Sequence, residues 1–159
     1  MKDSIQKYFQ VGTIQWMSHP PISYDLLDSI KSIASDEYFS AVEVTSIMDE
    51  ETRKKVKHLL EQSHLKVCFG AQPSLLGPGL NPNDVDEDRR KQAEEVLIKA
   101  VDEAEYLGAG GIAFLAGKWE EDTKALAYEQ LLKTTRSVCT HAAQKGMMVE
   151  LEVFDFDMD

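Results

Sequence analysis

The sequence predicts an α/β chain: the front part of a (β/α)8 barrel, a single domain over residues 1–159 with about five of the eight βα units present. Strand-like and helix-like periodicities alternate along the whole chain. Connections leaving strand C-termini are long, whereas those entering strand N-termini are tight. The strands are apolar on one face and mixed or charged on the other.

"QVGTIQW" (10–16) reads as the first strand, and the prolines of "MSHPPI" forbid regular structure after it. Ser23 is the expected N-cap of a helix striped by Leu26, Leu27, Ile30 and Ile33. "FSAVEVTSI" (39–47) is the second strand, followed by a helix capped by Asp49 that runs to about Gln62 and buries Val56, Leu59 and Leu60. "LKVCFGA" (65–71) is the third. The Pro- and Gly-rich stretch 72–85 then leads into a helix whose first turn is acidic (Asp84, Asp86, Glu87) and whose face is Ala93, Leu97, Ala100, Ala104 and Leu107, ending at Gly108. "GGIAFLAG" (110–117) is the fourth strand, residues 122–145 an amphipathic helix closed by Gly146, and "GMMVELEVFDFDMD" (146–159) the fifth strand, with "DFDMD" the top of a loop.

Strands separated by helices run parallel. Two parallel architectures suit this pattern, an open flavodoxin-like sheet and a partial barrel. A central strand of an open doubly wound sheet is covered on both faces and should be apolar on both. Here Val42 and Val44 alternate with Glu43 and Thr45, and Val149, Leu151 and Val153 alternate with Glu150 and Glu152. A barrel explains the asymmetry, because one strand face meets the helices and the other a lumen that turns polar toward its mouth. A half-exposed edge strand gives the same alternation and remains open as an alternative. In the barrel reading, Glu43, Lys66, Glu150 and Glu152 point inward, with Lys66 the expected partner of Glu150. A complete barrel takes about 250 residues, so the chain reads as a fragment.

A net charge of −11, from 17 Lys and Arg against 28 Asp and Glu, repels phosphate backbones and anionic lipid. Nucleic acid and membrane partners are therefore not expected, while a divalent cation suits the field. No signal peptide or membrane span is legible, which makes the cytoplasm the expected location. Cys68 and Cys139 have no metal-ligand spacing and read as buried, reduced thiols. The "GAGG" run precedes a strand, so it is no dinucleotide fingerprint.

"GTIQW", "AVEVT", "NPNDVDEDRRKQAEEVLIKAVDEAEYLGAGGIAFLAG" and "KGMMVELEV" together resemble the first five strands of the xylose-isomerase-like TIM barrels. These include sugar isomerases and epimerases, inosose dehydratases and endonuclease IV-type repair enzymes. Their strand five typically closes on a Glu that falls on Glu152. The resemblance implies that Glu152 ligates a divalent metal (Mn, Mg, Co or Zn) and moves a proton, with the other ligands on strands six to eight. The implied function is a metal-dependent sugar or sugar-phosphate isomerase or epimerase that transfers a proton beside a metal-bound hydroxyl or carbonyl. Alternatives are an inosose dehydratase-like lyase and a non-enzymatic five-stranded binding module. The endonuclease reading fits less well, since strand three ends in "GAQP" rather than with a His ligand.

The remaining candidates would contact a sugar or polyol: the amides of Gln15 and Gln72 at strand ends, His19 in the first loop, Glu43 on strand two, and Trp16 and Phe154 as apolar walls for sugar C–H faces. Uncovered strand edges make a homo-oligomer the expected assembly.

Overall fold

The computed structural model describes residues 3–152. After a single 3₁₀ turn at Ile5–Lys7 come β1 (Gly12–Ile14), α1 (Gln15–Ser18), α2 (Leu26–Ser35), β2 (Ala41–Val44) and α3 (Glu50–Gln62). There follow β3 (Lys66–Gly70), α4 (Gln72–Leu76), α5 (Glu87–Tyr106), β4 (Gly111–Leu115), α6 (Lys124–Gln144) and β5 (Met148–Glu152).

Local chemistry sets the helix ends. Asp25, Asp49 and Asp86 each accept a backbone N–H of the first turn, from Asp28, Thr52, and both Asp88 and Arg89 respectively. Asp25 therefore caps α2 in place of Ser23, because its carboxylate stands next to the first helical residue and reaches the free N–H of Asp28 at 3.1 Å. Gly108 and Gly146 terminate α5 and α6 with φ of 81° and 68°.

All five strands are parallel and lie in the order β1-β2-β3-β4-β5. A flavodoxin-like sheet reverses direction at a switch point. This sheet never does, and right-handed crossovers that always step the same way lay every helix on one face. The architecture is thus an arc of a barrel rather than a doubly wound sheet, and β5 forms the edge of the described arc, with Glu150 exposed.

Register identifies the two faces. Val42, Val67, Val44 and Phe69 share the helix-facing side with Ile112 and Phe114, and all are buried. They pack against Ile30, Ile33, Val56, Leu60, Leu97 and Val101 in one continuous core. On the other face the aligned positions are Glu43 with Cys68, Gly70 with Ala113, Ala113 with Glu150, and Leu115 with Glu152.

Several expectations shift with this frame. β1 covers only three residues, because the chain turns into α1 at Gln15. The 72–85 connection contains α4. Both cysteines are exposed rather than buried, Cys68 because it alternates onto the lumen face beside Glu43. Leu151 does align with Phe114 on the helix side, yet it is 40% exposed because no described helix covers β5 there. Among the described residues no helix is long and apolar enough to cross a membrane.

Candidate functional site

The C-terminal end of the lumen face carries a cavity of about 580 Å³, walled by Ile14, Trp16, Glu43, Gln72, Ala113, Leu115, Glu150 and Glu152 among others. Its side chains come from β1, α1, β2, the β3–α4 junction, β4 and β5. That convergence on the strand C-termini is where βα loops build active sites in parallel α/β folds.

Gln72 owes its position to two backbone features. The Ala71 N–H donates to the Ala113 carbonyl at 2.8 Å, which ties the end of β3 to β4. Pro73 then starts α4 immediately, so Gln72 occupies its first turn. From there Gln72 Nε2 donates to Glu152 Oε2 at 2.7 Å, a charge-assisted bond between residues 80 apart in sequence. Gln72 Oε1 is buried with no hydrogen-bond partner among the described residues.

Gly70 is the floor of the site. A Cβ there would fall 2.5 Å from Gln72 Oε1 and 2.6 Å from Glu43 Oε1, and would strike the Trp16 ring. Three of the predicted site residues thus meet over one glycine, and any larger residue would push them apart. Burial raises the pKa of the Glu43 carboxyl, and the charges of Glu152 and Glu150 push it further in the same direction. Burial likewise raises Cys68, with Glu43 and Glu150 adding to it, so this thiol has none of the thiolate character of a nucleophile.

Not every predicted residue arrives here. Gln15 is buried beneath α2, where Nε2 donates to Ser29 Oγ at 2.9 Å; its amide serves the packing of α1 against α2 and does not face the lumen cavity. His19 is also outside the cavity: its ring meets Tyr24 edge-on at 4.9 Å and its Nδ1 lies 3.0 Å from Ser18 Oγ. Gln15 follows the alternation of β1, since Ile14 aligns with the lumen-side Glu43 and the next side chain turns to the helix side, whereas His19 lies beyond the end of α1 and away from the cavity. Phe154 lies outside the described residues. Lys66 makes no ion pair with Glu150 among the described residues, because the register sets it beside Ala41, two side-chain layers deeper than the Gly70–Ala113–Glu150 level. Sequence reasoning missed Gly70 itself, although a glycine inside an apolar strand signals close approach of another group.

As a metal ligand set, the donors suit a hard divalent cation in kind: carboxylate oxygens of Glu152, Glu43 and Glu150, and an unsatisfied carboxamide oxygen. They do not complete a site, since no three His, Cys, Asp or Glu side chains among the described residues are grouped closely enough to hold an ion.

The sequence matches the xylose isomerase-like TIM barrel family over residues 33–159, and the chain belongs to that family. Among solved structures it is similar to a D-tagatose 3-epimerase-like protein, with TM-score 0.77 and 18% identity over 94% of this chain and 55% of the other. It also resembles a 3-keto-D-glucoside 4-epimerase from E. coli, with TM-score 0.72 and 17% identity over 94% of this chain and 58% of the other. A further similar fold is an AP endonuclease, family 2, from Brucella melitensis, with TM-score 0.74 and 16% identity over 94% and 57%. These likenesses establish the fold, and the chain spans little more than half the length of each structure. No curated protein matches it.

Proposed function

We propose that this chain supplies the N-terminal half of the active site of a divalent-metal-dependent sugar or sugar-phosphate isomerase or epimerase. The observation that carries the reading is the Gln72–Glu152 bond across the lumen mouth, which fixes a carboxylate at the end of β5. Gln72 engages Oε2, which leaves Oε1 directed to other business: no second side-chain hydrogen bond to Glu152 is present among the described residues.

Glu152 would hold the cation, with the remaining ligands outside the described residues. When bound, such an ion polarises a substrate hydroxyl or carbonyl and so acidifies the neighbouring C–H. Glu152 is then the group that accepts the carbon-bound proton, and Gln72 keeps its carboxylate aimed. Glu43 lines the same cavity and lies within reach of a substrate oxygen or the cation. Trp16 forms the apolar wall against which a sugar C–H face packs. A net charge of −11 opposes the nucleic-acid substrate that the endonuclease fold-mate brings to mind. We further propose a cytoplasmic homo-oligomer.

The test uses the full-length gene product with Mn²⁺ and D-tagatose or D-fructose, following ketose interconversion by NMR. Glu152→Gln should reduce turnover by about 10²–10⁴-fold with the fold unchanged by circular dichroism. Undiminished turnover would remove Glu152 from the mechanism. Turnover that needs no added metal and survives chelation would remove the cation.

A further inference from the structure

Away from the lumen, a cavity of about 710 Å³ lies between the end of β4, the first turns of α6 and the connection before α5. Its volume is that of a small-molecule pocket, about 300–1,000 Å³, and it shares no lining residue with the lumen cavity. Ala125 and Leu131 make its walls apolar, and the rings of Trp119 and Tyr128 stand in them although 40% and 60% exposed. The Lys124 ammonium sits 4.3 Å from the Trp119 ring centroid and steadies that indole.

At the inner side is Asn83, 4% exposed, whose Oδ1 has no hydrogen-bond partner among the described residues. A buried polar group left in that state is unusual and points to an absent partner. The carboxamide is not loose. The adjacent Pro82 carbonyl accepts from Thr134 Oγ1 at 2.7 Å, and Thr134 accepts from the buried Arg90 Nη1 at 2.9 Å, while Arg90 is itself held by Glu87 and Glu94. A rigid buried network therefore anchors the backbone beside Asn83, whose side chain lines the aromatic-walled cavity next to Gly117.

We propose that this cavity binds an uncharged planar heteroaromatic ring carrying a hydrogen-bond donor and an acceptor on one edge, a purine base or nucleoside being the type. The aromatic walls stack on the ring face. A carboxamide pairs with an adjacent donor and acceptor, as asparagine does with adenine. Glu121 and Asp122 also line the cavity and oppose a phosphate on the ligand.

The chain has two tryptophans, Trp16 and Trp119, so comparing Trp16→Phe with the Trp16→Phe, Trp119→Phe double variant of the full-length protein isolates the Trp119 emission. Adenosine added to the Trp16→Phe protein should quench Trp119 saturably, with Kd below about 1 mM. AMP should bind no more tightly than adenosine, and indole, which has a donor and no acceptor, should bind less tightly. Asn83→Ala should weaken adenosine about tenfold. Ala125→Phe changes an exposed helical position and fills the cavity, so it should abolish binding while far-UV circular dichroism stays unchanged. Non-saturating quenching, or adenosine binding that Ala125→Phe leaves intact, would overturn the proposal. So would a Trp119 already shielded from acrylamide in the free protein, because the cavity would then be filled by protein.

Discussion

The two faces of the sheet are made from the same five strands and obey opposite rules. On the helix side, neighbouring strands present Val42, Val67, Val44, Phe69, Ile112 and Phe114, all buried in a continuous apolar layer. On the lumen side, the same strands present Glu43, Cys68, Gly70, Glu150 and Glu152, so that carboxylates and a glycine stand among Ile14, Ala113 and Leu115 around an open cavity. The first face is organised by volume and the second by charge and hydrogen bonding. A substitution should therefore be felt as stability on one side and as site geometry on the other.

The largest stability effect should come from Phe114→Ala, whose side chain is wholly buried; urea denaturation should show a loss of about 3–5 kcal/mol. A loss under about 1 kcal/mol would mean that the faces have been assigned in reverse. Gly70→Ala should cost less, about 1–3 kcal/mol from overpacking, but should visibly shift Trp16 emission as Trp16, Gln72 and Glu43 are forced apart. Unchanged emission would show that these groups do not converge over Gly70.

Leu151→Ala sharpens the comparison within the helix side. Leu151 has the register of a core residue and the exposure of a surface one, so its truncation should cost only about 1 kcal/mol instead of the 2–5 kcal/mol of a fully buried leucine. The smallest effect concerns pH. Because the folded state raises the Glu43 pKa, it binds more protons than the unfolded chain above the ordinary carboxyl value of 4.5. This contribution is fully present below that value and fades as pH rises through the folded pKa. Glu43→Gln should consequently raise neutral-pH stability slightly and flatten the melting-temperature profile in that window; an unaltered profile would deny the burial of its carboxyl.

The alternation Val42-Glu43-Val44 and Val149-Glu150-Leu151-Glu152 favoured a barrel arc over a doubly wound sheet, but an edge strand alternates in the same way, and the unreversed strand order is what separates the two. The helix boundary at Asp49 was legible because capping is local chemistry, whereas Asp86, read as a first-turn acid, is the cap of α5. α1 was not: a single turn after a three-residue strand has no periodicity to read, and missing it misplaced His19, while Gln15 stands where alternation from the lumen-side Ile14 puts it. Gln72 and Glu152 could each be chosen as residues at strand ends, but their bond spans 80 positions and depends on Ala71 being tied to β4. Cys68 was read as hydrophobic by type, although its place in the alternation put it beside Glu43 on the lumen face.

The central claim is that Glu152, aimed by Gln72, moves a carbon-bound proton at the lumen mouth. It is tested most directly by solvent exchange: the full-length protein with Mn²⁺ and a 2-ketohexose in D₂O, with deuterium at the carbon beside the carbonyl measured by NMR. The account predicts incorporation by the parent protein, loss of about 10²-fold or more in Glu152→Gln, and an intermediate loss in Gln72→Met, which keeps the carboxylate but not its orienting N–H. Deuterium incorporation at the parent rate in Glu152→Gln would contradict it.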